Sequence, residues 1–175
     1  MAYRAINKYL TIPGCTVYTA KAGVPSPLPA CVDADVTLPS IGFPTTTIHN
    51  MGSHDVVDQT RVDNLQLTIN APTTLDNIGL VSGGLAEYVI RFAMQVQKPD
   101  NTYYYAGFTA YCMGQVASFG GSSLNVGDAG AGTITINCAT YSLKESDKEL
   151  VRIDRAAGAL IIDGQDLRAD LNRLL

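Results

Sequence analysis

The amino-acid sequence predicts a mainly β fold, a β-sandwich or partly open β-barrel of antiparallel strands, with one short internal helix and one C-terminal helix. Apolar and polar residues alternate with a period of two in several segments, which is the pattern of half-buried strands. Turn-forming residues separate these segments, and a chain of 175 residues, 46% of them hydrophobic, suffices for one sizeable core. We therefore expect a single domain with additions at its ends.

Residues 1–29 are predicted to be a proline-rich N-terminal arm, and residues 30–175 the β-domain. The repeated prolines of residues 23–29 favour extended, unpaired backbone and forbid a helix. Within residues 30–38 apolar residues alternate with polar ones, so the domain is expected to begin with a strand that Pro39 closes.

The next segments alternate between predicted strands and loops. Residues 45–48 are mostly β-branched and predict a strand, whereas the polar residues 49–59 predict a loop. Leu65, Leu67 and Ile69 alternate with polar neighbours, which indicates a strand with one buried face.

The internal helix is predicted over residues 73–80, because Pro72 suits a helix entrance and Thr73 or Thr74 can cap it. A hairpin follows. Its strands are expected in residues 85–97 and 102–115, where alternation is longest, and Lys98-Pro-Asp-Asn101 makes the turn.

After a Gly/Ser-rich loop at residues 118–132, Ile134, Ile136 and Cys138 alternate with polar residues and predict another strand. The C-terminal block is predicted to end in a capped amphipathic helix. Asp163 accepts from free N–H groups at the helix start and Gly164 permits a sharp entry. Asp166 precedes the helix and favours its positive end. The helix is expected to dock on the chain's own sheet or on a neighbouring subunit through Leu167, Arg168, Leu171, Arg173 and Leu174.

Charge and composition exclude several classes of protein. A formal net charge of −4 and scattered Lys and Arg provide no basic footprint for gripping nucleic acid, although DNA passing without sticking is compatible with them. Neither a secretory signal nor an apolar run of about 18 residues is present. The four cysteines share no close spacing and are expected to be buried thiols, so we expect a soluble protein in a reducing cytoplasm.

No pattern in the sequence supports catalysis, a metal site or a cofactor. Residues 120–132 are glycine-rich but lack the Lys-Ser/Thr of a phosphate-binding loop and lead into a strand. His49, His54, Asp55 and Asp58 lie near one another, yet such residues are common in exposed turns. Tyr103-Tyr-Tyr105 with Tyr111 suits either stacking on sugars or bases, or packing in a core or subunit contact.

Residues 139–154, Gly158 and residues 162–175 resemble the ending of the major tail tube proteins of contractile-tailed phages and R-type pyocins. In that family a strand with a Tyr leads through a charged turn to an Ile-Asp pair, a short apolar strand, an Asn- or Asp-Gly turn and an Arg-containing helix. Val36-Thr-Leu-Pro39 is similar to the end of an early family strand, and order and lengths agree over roughly residues 30–175. Ser146-Asp-Lys-Glu149 departs from the family in lacking a glycine.

The resemblance implies a structural subunit of the inner tail tube of a contractile phage tail or phage-like injection device. It implies hexameric rings, stacked into a hollow tube through which DNA passes without sequence-specific binding. The implied partners are other copies of the chain, the sheath, the tape-measure protein and baseplate or terminator proteins, in a virion assembled in the host cytoplasm. Two alternatives are a secretion-system tube protein of the same fold and a monomeric carbohydrate-binding β-sandwich.

The resemblance also assigns two contact regions. The C-terminal helix is expected to form a subunit interface. The polar loop corresponds to the family's long stacking hairpin and is expected to contact the next ring through His49, Asn50, Met51, Gly52, Ser53, His54, Asp55 and Asp58.

Overall fold

The computed structural model describes residues 8–9, 11–21, 24–32, 34–50, 52–72, 84–120 and 131–174, and within them it is mostly antiparallel β-structure. The strands are β1 Lys8–Tyr9, β2 Gly14–Lys21, β3 Val24–Val32, β4 Asp35–Thr37, β5 Thr45–Asn50, β6 Gly52–Val57, β7 Gln66–Pro72, β8 Ala86–Gln97, β9 Tyr103–Gly120, β10 Ala131–Glu145, β11 Lys148–Asp154, β12 Ala159–Ile162 and β13 Gln165–Asp166. The helix α1 spans Ala169–Leu174. The predicted fold class is thereby confirmed.

One large sheet has the strand order β13-β12-β11-β10-β9-β8-β2-β3, and β5 and β6 form a separate hairpin. In the large sheet β10 has two successive neighbours on one side. Its first half pairs with β7 as far as Asn137, and its second half pairs with β11 from Thr140 onward. The register against β9 shifts between Cys138 and Thr140, so Ala139 is the extra residue of a β-bulge. The bulge therefore marks the point where β10 changes neighbour.

Because β10 pairs first with β7 and then with β11, the sheet has two layers, and the main core lies between them. Leu65, Leu67 and Ile69 are fully buried, and they pack in the same cluster as Tyr88 and Ile90 of β8. Further members come from β10, β11 and β12: Ile134, Ile136, Cys138, Tyr141, Ile153 and Leu160. The alternation in the sequence therefore predicted the correct inward faces of β7 and β10.

The predicted hairpin of the longest alternating segments is confirmed as β8 and β9. The pairing runs from Ala86 opposite Gly114 to Gln97 opposite Tyr103. In the turn, Asn101 has a φ of 64°, a left-handed conformation that Asn adopts more readily than most residues. The Asp100 side chain accepts hydrogen bonds from the backbone and hydroxyl of Thr102, which lower the pKa of that carboxyl group.

The expectation of unpaired backbone at residues 23–29 is wrong, because these residues belong to β3. β2 pairs with β8 over Gly14 to Ala20, and Val17 is fully buried in the main core. β3 pairs with β2 despite its prolines. Among the described strands β3 has no second neighbour, so a proline that donates no hydrogen bond is tolerated at this edge.

The single strand predicted over residues 30–38 is divided in the structure. Its first part belongs to β3, which pairs with β2, and its second part is β4, which pairs with β7. The predicted apolar face persists across this division, since Ala34 is buried and Val36 and Leu38 pack against the core. The predicted internal helix over residues 73–80 lies outside the described residues, as do residues 121–130 of the Gly/Ser-rich loop.

The predicted helix cap at Asp163 is also wrong. Asp163 and Gly164 have φ values of 47° and 80° and form the two-residue turn between β12 and β13. Positive φ at both central positions is typical of a type I′ hairpin turn, in which Asp-Gly is favoured, whereas an N-cap residue has β-region backbone. The helix begins six residues later, at Ala169. Asp166 leads into it by accepting a hydrogen bond from the Arg168 backbone N–H at 2.9 Å.

Candidate assembly surface

The stacking region predicted as a loop is a two-stranded β-hairpin. β5 pairs with β6 from Thr45 opposite Val57 to Asn50 opposite Gly52. All residues of β6 are exposed, and β5 is exposed from Thr45 to His49. The hairpin is thus held by its own backbone pairing and by a hydrogen bond of 2.7 Å from the Thr47 hydroxyl to Asp55. It projects as a separate element.

The two faces of this hairpin differ in polarity. Cross-strand partners share a face, so Ile48 and His54 lie on the same side as Val56. Ile48 is 37% and Val56 41% exposed, and we call their face the apolar face because it carries two of the three exposed large apolar side chains among the described residues of the hairpin. The third, Val57, is 50% exposed on the opposite face. His49 lies on the opposite face with its partner Ser53. The two histidines therefore point to opposite sides, which argues against the metal site that their spacing suggests.

The base of the hairpin is fixed by a short polar network. The Asp58 backbone N–H donates to the Pro44 carbonyl at 2.9 Å, and the Asp63 N–H donates to the Gly42 carbonyl at 2.9 Å. The Asp58 carboxylate accepts from the Thr60 hydroxyl at 2.6 Å and from the Thr60 N–H at 3.0 Å. These bonds lower the pKa of Asp58. Asp58 therefore organises the turn between the hairpin and β7.

Arg155 ties this turn to the C-terminal block. It lies between β11 and β12, and its guanidinium donates to the carbonyl oxygens of Val62 and Asp63. Its own backbone N–H donates to the carbonyl of Ala139, the bulge residue of β10, at 3.3 Å. The sequence contains no local signal for this role, because the two ends of the contact are more than 90 positions apart.

The C-terminal block is anchored by its first residues and exposed at its end. Leu167 packs against the main core, and its backbone N–H donates to the Leu160 carbonyl at 2.9 Å. The Arg168 guanidinium lies over Gly158, where a Cβ would stand 3.2 Å from one of its nitrogens. Leu174 is 80% exposed, and Arg173 forms a 3.5 Å ion pair with Asp170 at the surface.

The turn that holds the block is charged. Lys148 donates to Asp163 at 2.8 Å, which lowers the pKa of this carboxyl group. Ser146, in the turn between β10 and β11, has a φ of 52°, a left-handed backbone conformation that residues other than glycine adopt less readily.

Parts of the two predicted contact regions meet at one open cavity of about 550 Å³. Asp58 at the hairpin base and Arg168 and Leu171 of the C-terminal block line it together. The hairpin residues from His49 to Asp55 do not line this cavity and lie beyond the base. The structure therefore brings three of the predicted site residues together and leaves the projecting part of the hairpin apart from them. Met51 lies outside the described residues.

The tyrosine cluster contributes to the surface more than to the core. Tyr103 is 57% and Tyr105 66% exposed, on the face of β9 that they share with Gln97 and Gln95. Tyr111 on the same face packs beneath the Lys144 ammonium, 5.5 Å from the ring centre. Such ammonium–aromatic contacts stabilise exposed sites by about 0.5–1 kcal/mol.

Within the described ranges, no group of three or more His, Cys, Asp or Glu residues is placed to hold a metal ion. The same ranges contain no helix with the length and apolar character needed to cross a membrane. Cys15, Cys112 and Cys138 are thiols and not halves of disulfides, and the last two are buried.

Comparison with known proteins agrees with the fold. A family model described as phage tail tube protein FII matches residues 30–175. A similar solved structure is the sheath/tube terminator of the extracellular contractile injection system PVC in its extended state, with a TM-score of 0.51, 11% sequence identity, and coverage of 77% of this chain and 96% of the terminator chain. A search of curated proteins found no match.

The family match distinguishes among the functions that the sequence leaves open. It does not favour a monomeric carbohydrate-binding domain, and the family is one of structural proteins and not of enzymes. Since the family match covers residues 30–175 of 175, the chain belongs to the phage tail tube protein FII family and is a structural subunit of a tail tube.

Proposed function

We propose that the chain assembles into hexameric rings that stack into a hollow tube inside a contractile sheath, and that DNA passes through this tube. The observation that carries the proposal is the projecting β5–β6 hairpin, which is exposed along its length and has an apolar face. An element of this kind contributes little to the core of its own subunit. It is therefore available for contact with another copy of the chain.

The sheet edges provide the lateral contacts of the proposed ring. In the described part of the chain, β3 and β13 end the large sheet, and each has one neighbour. Unpaired strand edges accept further strands through backbone hydrogen bonds. Two different edges on one subunit suit head-to-tail contacts, which close into a ring when the rotation between subunits permits.

We assign two contact regions within this assembly. The hairpin residues His49 to Asp55, with Asp58 at the base, contact the next ring, and Leu167, Arg168, Leu171, Arg173 and Leu174 form a subunit interface. The exposure of Leu174 supports the second assignment, because an apolar side chain at the end of the chain gains by being covered. Residues 30–175 correspond to the matched family, and β2 and β3 before and across residue 30 extend the large sheet of the same domain.

The charge of the chain fits a conduit for DNA. A net charge of −4 gives six subunits a surplus of negative charge, so a DNA chain is not held by Coulomb attraction. Passage without sequence-specific binding follows from this balance. The proposed partners outside the tube are the sheath and the terminator and baseplate proteins, and the proposed partner inside it is the tape-measure protein. The tube assembles in the host cytoplasm and becomes part of the virion.

The purified full-length chain tests the proposal. Size-exclusion chromatography with negative-stain electron microscopy is expected to show rings of six subunits or tubes at high protein concentration. A strict monomer at every concentration contradicts the proposal. A chain truncated after Asp163 should lose ring assembly at least as strongly as it loses folding stability, and full-sized rings from this truncation would overturn the assignment of the C-terminal interface.

A further inference from the structure

A second surface on the chain is shaped to receive the hairpin. An open cleft of about 360 Å³ lies between the beginning of β2 and the strand β4. Its lining is mostly apolar, with Ile12, Val36, Leu38 and Phe92 among its residues, and Asp35 is the charged residue among them. Ile12 is 53% exposed. Apolar surface therefore remains open to solvent in a concave site, where burial gives the largest gain.

The backbone beside this cleft is also available for pairing. β4 pairs with β7 through Asp35, Val36 and Thr37. Among the described strands it has no neighbour on its other side, and these same three residues line the cleft. An extended segment that enters the cleft thus meets both an apolar surface and a free strand edge.

The β5–β6 hairpin has the matching properties. Within the described residues β5 and β6 pair only with each other, so each has a free edge. Ile48 and Val56 lie on one face and are exposed in the isolated subunit. The face with Ile48 and Val56 carries no Lys, Arg, Asp or Glu, and its titratable side chain is that of His54, the cross-strand partner of Ile48.

A hairpin that enters this cleft belongs to a second copy of the chain. No residue of the hairpin lines the cleft of its own subunit. The projecting element and the receiving cleft are two different surfaces of the same chain, and a contact between them is therefore head-to-tail and can repeat indefinitely. This geometry suits the stacking of rings into a tube.

We propose that the apolar face of the β5–β6 hairpin of one subunit docks in the cleft between β2 and β4 of a subunit in the adjacent ring. Ile48 and Val56 enter the cleft, and an edge of the hairpin pairs with β4. The inference rests on the proposed tube function and adds to it the surface that receives the stacking hairpin.

A native cysteine allows a direct test. Cys15 lines the cleft. Tubes of an Ile48→Cys variant are oxidised with copper phenanthroline and analysed on non-reducing gels. We expect a ladder of covalent oligomers that a reductant removes. The ladder should disappear in Ile48→Cys combined with Cys15→Ser, because the second substitution removes the thiol that receives the bond.

Ser53→Cys is the matched control. Its new thiol lies on the opposite face of the same hairpin and should give much less cross-linked product. Ile48→Cys tubes that form and show no ladder overturn the docking arrangement. A ladder that persists without Cys15, or one equally strong from Ser53→Cys, also overturns it.

Hydrogen exchange on the unmodified protein keeps the inference testable if Ile48→Cys does not assemble. The amides of residues 35–37 and of the hairpin should exchange about tenfold more slowly in tubes than in unassembled subunits, since assembly closes both edges. Unchanged exchange at β4 in assembled tubes contradicts the inference alone. A wild-type chain that never assembles contradicts the proposed tube function and this inference with it.

Discussion

Gly114 of β9 lies directly against the backbone carbonyl of Asn137 in β10. A Cβ at position 114 would overlap the Asn137 oxygen and stand 2.9 Å from the carbonyl carbon. This close approach occurs beside the Ala139 bulge, where β10 changes its neighbour from β7 to β11. The absence of a side chain at Gly114 therefore permits the junction between the two layers.

Gly114→Ala is expected to destabilise the subunit by about 1–3 kcal/mol, the usual effect of forcing an extra methyl group into packed backbone. Urea unfolding followed by circular dichroism measures the change. Gly107→Ala is the matched control, since Gly107 lies in the same strand and its added methyl group would meet no atom within 4 Å. Equal unfolding midpoints for the two variants would contradict the role of Gly114.

Arg155→Ala should loosen the base of the hairpin by removing the donors to the Val62 and Asp63 carbonyls. A hydrogen bond to a charged group contributes about 1.5–3 kcal/mol to stability. Because Arg155 is exposed, the loss of stability should lie at the lower end of this range. Amide exchange in residues 58–63 should accelerate. Arg61→Ala is the control, because the ion pair of Arg61 with Asp58 is exposed and 4.0 Å long. If Arg61→Ala accelerates amide exchange as much as Arg155→Ala does, Arg155 does not hold the base of the hairpin.

Leu167 and Leu174 should separate folding from assembly. Leu167→Ala removes a side chain that packs against the core and is expected to lower the unfolding free energy by about 1–2 kcal/mol, less than for a fully buried leucine. Leu174→Ala should leave monomer stability unchanged and reduce assembly, since this side chain is 80% exposed in the subunit. Analytical ultracentrifugation with urea unfolding distinguishes them. Normal assembly of Leu174→Ala would remove this residue from the interface.

Alkaline pH should destabilise the subunit through its buried tyrosines. Burial raises the pKa of Tyr141 and of Tyr88 above the ordinary value. Below the unfolded pKa of about 10 both states keep the proton and the stability is fully present; above it only the unfolded chain ionises, so stability falls as pH rises. The slope is about 1.4 kcal/mol per pH unit for each such group.

Tyr141→Phe tests this account, because it keeps the ring and removes the phenol. Its unfolding free energy should decline less steeply above a pH of about 10 than that of the wild type. Tyr103→Phe, at a position that is 57% exposed, should follow the wild-type curve. Identical slopes for Tyr141→Phe and wild type would show that the buried phenol is not responsible.

The sequence correctly predicted the strands in which apolar residues face the core and alternate with polar residues. Leu65, Leu67 and Ile69 face the core as their spacing indicates, and the β8–β9 hairpin has the expected turn. The prediction of unpaired backbone for residues 23–29 is wrong because prolines argue against a central strand and say nothing against an edge strand. Whether a strand is at an edge depends on the whole sheet and not on local residues.

The candidate site was predictable only in part. The polarity of residues 49–59 predicted their exposure, but it predicted a loop where the structure has the strand β6. The residues that line the proposed receiving cleft are far apart in the sequence. Asp163 shows why the C-terminal prediction differed from the structure. An Asp-Gly pair suits both a helix start and a type I′ turn, and the pairing of β13 with β12 decides between them.

The Ala139 bulge has a mechanical consequence. β7 follows the hairpin in the chain and pairs with the first half of β10, whereas β11 precedes the C-terminal block and pairs with the second half. A pull on the hairpin would therefore pass from β7 into β10 through their hydrogen bonds, continue along the covalent backbone of β10, and reach the strand that precedes the C-terminal block. β10 is the one strand that both halves of this path share.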